Sequence, residues 1–205
     1  MWNWAENQIK LVLVRHGATP SNKENRYLGR IDESLSLEGE QALQKAKNSY
    51  PSIDYLFTSP MKRCIQTAQI LYPNQEILVI SEWAEMDFGD FDGKNYVELK
   101  ENEYYQKWID SNGTLPFPNG ESREVFIERC KQGFYKMLRQ LMKLKQTNTS
   151  MTIGMVLHGG TIMSLLSIFY GGEYFDYQIA NAQGYICTLK ENHGYPQMVE
   201  VQKIR

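Results

Sequence analysis

Cysteine is scarce and scattered in this sequence. Cys64, Cys130 and Cys187 are its only three, and none forms a Cys-x-x-Cys pair. Neither a disulfide framework nor a cysteine-based zinc site is expected, and the thiols read as reduced, buried and inert in a cytoplasmic protein. Long apolar runs are also missing. No stretch approaches the ~20 residues a membrane helix needs, and the apolar run at residues 9–14 is interrupted by Lys10 and closed by Arg15 and His16, unlike a signal peptide. A net charge of -2 leaves no basic excess for nucleic acid. Internal repeats and low-complexity segments are absent. Histidine, with three residues against four tryptophans, is rare enough that its placement carries information.

What is present is an ordinary globular balance, 42% hydrophobic and 22% charged, sufficient for a full core. The 205 residues suit one domain, residues 1–205, with a small inserted cap. Continuous apolar runs at 11–14, 55–58, 77–80 and 153–157 predict central strands covered on both faces. Helices are expected between them. Ser36 would cap one running to Lys47, with Glu38 and Glu40 at its positive end. Ser59 followed by Pro60 reads as the cap of a second, to about Tyr72. A third spans about 121–145, its face marked by 127, 130, 134, 137, 138 and 141. A fourth covers 161–169 and ends at Gly171-Gly172. Residues 185–201 are expected to add two edge strands. The fold class is therefore α/β, a three-layer sandwich with a mainly parallel central sheet, helices on both faces and a small helical cap insertion at 87–120. Phe88, Phe91, Tyr96, Tyr104, Tyr105, Trp108 and Phe117 crowd that insertion. They fit a cap over a site and a self-packed helical layer equally well, with Tyr104 and Trp108 paired at i, i+4.

Ligands of an open parallel sheet bind beyond the carboxyl ends of its strands. Arg15-His16-Gly17 follows the first strand, Ser59-Pro60 with Arg63 the second, Glu82 and Glu85 the third, and His158-Gly159-Gly160 the fourth. Two of the three histidines thus share one edge with two arginines and a carboxylate. Taken singly, each has a plain structural reading: a strand-end pair bonded to carbonyls, a strand-to-helix turn, a solvated helix arginine, surface acids. Together they suit a phosphoryl group. Arginine binds two oxygens with a permanently charged fork, glycines at a helix start let amides approach, a neutral imidazole can attack phosphorus, and a carboxylic acid can protonate the leaving oxygen. Zinc on two histidines and a glutamate is the weaker alternative, because the adjacent arginines would repel it.

The motifs resemble those of the histidine phosphatase superfamily, the phosphoglycerate mutase-like group. The resemblance lies in Leu13-Val14-Arg15-His16-Gly17-Ala18-Thr19 with Asn22, in Thr58-Ser59-Pro60-Met61-Lys62-Arg63 with Thr67-Ala68, in Glu85-Met86-Asp87-Phe88-Gly89, and in Leu157-His158-Gly159-Gly160. Ala18 and Asp92 stand where glutamate is common in the family. The resemblance implies that His16 attacks phosphorus, and that Arg15, Asn22, Arg63 and His158, with Gly159, hold the phosphoryl oxygens. It selects Glu85 over Glu82 as the acid. It implies no cofactor and no metal, and a small phosphorylated metabolite as the partner rather than nucleic acid or membrane; the oligomeric state is not read. Residues 27–32 with 35–39, and 104–122, resemble the alpha-ribazole phosphatases of cobalamin synthesis within that family. A mutase that returns the phosphoryl group, a sugar-phosphate phosphatase and a non-catalytic phospho-ligand module are the competing readings. The mutase is disfavoured by the shortness of the chain, and the module by the presence of both an acid and a nucleophile. His193 is read as a surface residue.

Overall fold

The computed structural model describes residues 8–144 and 150–204. Six strands, β1 (Gln8–Arg15), β2 (Tyr55–Thr58), β3 (Ile77–Val79), β4 (Ser150–Leu157), β5 (Gly184–Asn192) and β6 (Tyr195–Ile204), form one sheet in the order β3-β2-β4-β1-β5-β6. The pairings β3-β2, β2-β4 and β4-β1 are parallel, and β1-β5 and β5-β6 are antiparallel. The side chains of β1 alternate between faces: Ile9, Leu11 and Leu13 join one core, Val12 and Val14 the other. Helices α2 (Leu37–Ala46) and α3 (Lys62–Leu71) cover the valine face, and α6 (Arg123–Lys143) and α7 (Gly159–Phe169) the opposite one. That is the expected three-layer α/β sandwich.

The departures have local causes. β3 is a short edge strand with half-exposed side chains, not a central one, because an apolar β-branched run does not say how many neighbours a strand has. In the C-terminal pair only β6 is an edge; β5 lies inside, against β1. Ser36 does cap α2, accepting from Gly39 N at 3.1 Å, and a β-carbon at Gly39 would collide with Ala18 O. Ser59, however, is not the cap of α3. That helix starts at Lys62 behind Met61, and the Ser59 hydroxyl is engaged elsewhere. Helix α6 is capped by Ser122, whose Oγ accepts from Val125 N. Its buried face uses Phe126 rather than residue 127. The expected end at Lys145 lies outside the described residues. Helix α7 starts two residues earlier than expected, directly after His158.

The insertion carries α4 (Tyr96–Leu99) and α5 (Glu103–Asp110), while the one-turn helix α1 (Pro20–Lys23) follows β1. Trp108 stacks on Tyr105 at 6.0 Å and 16°, not on Tyr104, whose hydroxyl donates to Pro116 O. Phe91, Leu99, Tyr105 and Phe117 are buried in the same core as α6 and α7. The insertion is thus rooted in the main core through its own aromatics. Among the described residues no helix is long and apolar enough to cross a membrane.

Candidate active site

The expected residues converge at the carboxyl edge of β1, β2 and β4. His16 and His158 are 3% and 0% exposed, with ring centroids 5.2 Å apart. Nδ1 of His16 lies 2.7 Å from Gly17 O. A carbonyl only accepts, so Nδ1 carries the proton and Nε2 keeps its lone pair. Burial, then the charges of Arg63 and Arg15, hold this imidazole well below the usual histidine range. His16 is therefore neutral at pH 7, with its free lone pair on Nε2.

His158 has the same ionisation but the opposite use of its ring. Burial foremost, then Arg63, lowers its pKa well below the usual value. Arg63 Nε donates to Nδ1 at 3.3 Å, so Nε2 carries the proton and donates to Ser59 Oγ at 2.7 Å. Ser59 also accepts from Met61 N at 3.3 Å, which explains why it does not cap α3.

Arg63 is 0% exposed and its donors go to neutral groups. Nη2 donates to Leu28 O and Gly29 O at 3.1 Å, and Nη1 to Ile31 O at 3.0 Å. With Nε on His158, one of its five N–H groups remains for a ligand. Arg15 Nη1 donates to Ile179 O at 2.6 Å, and its buried Nε has no partner. Asn22 sits in α1 with its Oδ1 accepting from Thr19 N at 3.1 Å and Asn181 Nδ2 at 3.0 Å. Its Nδ2 is thereby the end left to donate to a ligand. Gly159 opens α7 beside Arg15, and backbone amides of that first turn have no intrahelical acceptor.

Glu85 closes the constellation. Its side chain is 11% exposed, and Oε2 stands 3.9 Å from His158 Nδ1. Burial raises its pKa, against lowering by the Met86 amide (2.9 Å to Oε1) and by Arg63, Arg15 and Arg129. A raised carboxyl is suited to donate a proton near neutrality. A β-carbon at Gly160 would stand 2.7 Å from Oε1, so the glycine there makes room for the acid. Glu82 points elsewhere: it pairs with Lys136 at 2.8 Å.

Three supporting residues were not anticipated. Asn181 Nδ2 donates to His16 O at 3.1 Å, besides bonding Asn22. Arg129 holds the segment before the acid through Glu82 O, Ala84 O and Glu85 O at 2.8, 2.9 and 3.3 Å. Arg129 is itself gripped by both oxygens of Glu121, at 2.9 and 2.7 Å. Nothing in the sequence marks Asn181 or Arg129, because their bonds to backbone carbonyls cross more than forty positions.

Two openings flank Glu85, Gly160 and Met163. One, of ≈ 400 Å³, is lined by Arg15, Gln178, Ile179, Ala180 and Lys203. The other, of ≈ 190 Å³, is walled by Tyr27, Phe88, Trp108, Phe117, Tyr174 and Phe175, with Arg123 its only cation. The buried indole N–H of Trp108 has no acceptor.

Residues 11–203 match the family described as Histidine phosphatase superfamily (branch 1). Phosphoserine phosphatase 1 of Hydrogenobacter thermophilus is 26% identical over 192 residues, covering 89% of this chain and 88% of that protein. The alpha-ribazole phosphatase of Shigella flexneri superposes with a TM-score of 0.76 at 22% identity, over 93% of this chain and 94% of that one. A phosphoserine phosphatase mutant from Entamoeba histolytica, in complex with phosphoserine, gives 0.74 at 25% identity over 94% and 96%.

The raised pKa of Glu85 carries a consequence for stability. A carboxyl whose folded pKa exceeds its unfolded value favours the fold when protonated, and that contribution is lost as pH rises through the folded pKa. Glu85→Gln, which cannot ionise, should therefore melt at a higher temperature than wild type at pH 7. The gap should shrink as pH falls toward the unfolded glutamate range. Thermal unfolding at both ends of that window checks it; a lower melting temperature at pH 7 would contradict the raised pKa.

Proposed function

Because the chain belongs to the histidine phosphatase superfamily, we propose that it hydrolyses small phosphomonoesters without a metal, through a phosphohistidine on His16. The observation that carries this reading is an imidazole whose Nε2 is unprotonated at neutral pH beside two guanidinium groups. The lone pair of Nε2 attacks phosphorus and the ester P–O bond breaks. Arg15, Arg63, Asn22 Nδ2 and the first-turn amides at Gly159 take the phosphoryl oxygens. The arriving dianion raises the pKa of His158. Its Nδ1 takes a proton from solvent, gives up the Arg63 Nε–H it accepted and donates to a phosphoryl oxygen, while Arg63 Nε–H is freed to do the same. Glu85 gives its proton to the departing alkoxide. It then accepts one from the water that breaks the P–N bond, releasing inorganic phosphate. The permanent charge of the arginines does the neutralisation that a metal would otherwise supply. The three free thiols are buried, which fits a reducing, cytoplasmic setting.

The aromatic opening supports a finer reading of the alcohol. Its walls are apolar and mainly aromatic. Alpha-ribazole 5'-phosphate carries a flat, apolar benzimidazole and fits that description. Phosphoserine, named in the relatives, would need partners for an ammonium and a carboxylate, and this opening offers only Arg123 as a cation. On this reading residues 87–120 act as the cap of a single domain.

The central test is the intermediate. Rapid quenching at alkaline pH with labelled substrate should place phosphate on His16, with turnover unchanged after exhaustive chelation. Label on another residue, or a rate restored only by added magnesium or zinc, would overturn the mechanism.

The role of Glu85 has its own signature. An alkoxide leaves badly and a nitrophenolate leaves well, so general-acid help of about 10²–10⁴-fold matters only for the first. In single-turnover experiments Glu85→Gln should slow phosphorylation of His16 far more with an alkyl phosphate than with p-nitrophenyl phosphate. Equal losses would assign Glu85 an electrostatic role alone.

Substrate choice is tested by ranking kcat/KM for alpha-ribazole 5'-phosphate against phosphoserine, 3-phosphoglycerate and fructose 2,6-bisphosphate. Alpha-ribazole phosphate should lead and should suffer most from Trp108→Ala. A leading phosphoserine would reverse the finer reading and leave the phosphatase assignment intact, whereas isomerised product in place of free phosphate would mark a mutase.

A further inference from the structure

Two peptide units join Asp92 to Arg63. The Asp92 carboxylate accepts from Gly29 N at 2.7 Å on Oδ1, and from Arg30 N at 2.9 Å and Ile31 N at 3.0 Å on Oδ2. On the far side of the same loop, Arg63 Nη2 donates to Leu28 O and Gly29 O, both at 3.1 Å. The Leu28 carbonyl and the Gly29 amide belong to one peptide group, and the Gly29 carbonyl and the Arg30 amide to the next. Each of these groups therefore has its N–H on a carboxylate and its C=O on a guanidinium. Hydrogen bonds aligned in this way polarise one another. Negative charge at the amide end makes each carbonyl a stronger acceptor for Arg63.

The loop has little freedom to serve any other purpose. A β-carbon at Gly29 would collide with Met86 O, so the chain lies hard against the segment that carries Glu85. A carboxylate placed directly on Arg63 would cancel the charge a phosphoryl group needs. Through two peptides, Asp92 orients the guanidinium without touching it.

We propose that Asp92 is a positioning residue for Arg63, acting as the remote half of a peptide-relayed ion pair that fixes the phosphoryl-binding arginine. The proposal rests on the reading of Arg63 as a phosphoryl ligand. Loss of the carboxylate lets the loop and guanidinium drift, and a misplacement of ~1 Å can lower the rate about a hundredfold.

The test is a double-mutant cycle on kcat/KM for p-nitrophenyl phosphate, using Asp92→Asn, Arg63→Ala and the pair, with inhibition by inorganic phosphate as a second readout. Asp92→Asn keeps the shape and one acceptor oxygen. Melting temperatures verify that each variant folds, and Asp92→Ser, a shorter uncharged acceptor, serves in its place should it fail to. In the wild-type background the substitution should lower kcat/KM by up to about a hundredfold and weaken inhibition by phosphate. In the Arg63→Ala background most of that loss should vanish, since there is no guanidinium left to position. A general structural defect would appear equally in both backgrounds, and that result overturns the relay. So does wild-type behaviour of the Asp92 variant. If Arg63→Ala alone leaves turnover and phosphate inhibition unchanged, Arg63 is not a phosphoryl ligand, and the relay falls with that assignment.

Discussion

Two guanidinium groups and two imidazoles are packed into one dry edge of the sheet, and the electrostatics of that packing govern what surrounds them. Burying an ion forfeits several kcal/mol of hydration unless its hydrogen-bonding groups are satisfied. Here the acceptors are mainly neutral backbone carbonyls: Leu28, Gly29 and Ile31 for Arg63, and Ile179 for Arg15, whose buried Nε is left unpaired. Carbonyl oxygens meet the donors without cancelling the charge. The residual positive potential helps keep His16 and His158 deprotonated. It also favours a phosphoryl dianion over water in the same space. Glu85 is the exception, and burial outweighs its attraction to the arginines, so its pKa stays raised. A fully ionised carboxylate at that position would oppose the very ligand the arginines attract.

The compensating negative charge stands one layer further out. Asp92 holds the amides of the loop whose carbonyls grip Arg63. Glu121 holds Arg129, which in turn fixes the carbonyls of Glu82, Ala84 and Glu85. Glu121 also accepts from Asp87 N at 2.9 Å, so the segment bearing the acid is tied at both ends. In both cases a carboxylate acts on the site through intervening groups and not by contact. Charge is thus layered: cations inside, held by neutral dipoles, and carboxylates outside that align them.

This layering explains which parts were legible from sequence. β1, β2 and β4, the helices on both faces and the histidines and arginines after the strands follow from local patterns, because strand ends and helix starts are local events. Glu85, by contrast, was separated from Glu82 only by the family resemblance. The edge position of β3 and the interior position of β5 were misjudged, since both depend on which strand lies alongside. Ser59-Pro60 carries a helix-start signal, yet the hydroxyl is claimed by His158, nearly one hundred residues away. Asp92 was visible only as an aspartate where a glutamate is common in the family. Asn181 and Arg129 had no signal, because most of their partners are backbone carbonyls of distant segments, and a backbone carbonyl leaves no trace in the sequence.

The same argument separates what is readable about chemistry from what is readable about substrate. Glu85, Gly160 and Met163 border both openings, so one acid can serve an alcohol departing toward either side. On the proposed mechanism the residues that hold the phosphoryl group are therefore indifferent to the alcohol, and their motifs say nothing about it. Selectivity falls to the walls: Trp108, Phe88 and Phe117 from the insertion and Tyr174 and Phe175 beyond α7 on one side, Gln178 and Lys203 on the other. Apart from Phe88, these side chains come from segments outside the phosphoryl-handling motifs, and Trp108, Phe88 and Phe117 meet through the aromatic packing that roots the insertion in the core. On that proposal a substitution there changes the alcohol accepted while leaving the charge layers untouched, which makes the insertion the part of this fold freest to acquire a new substrate.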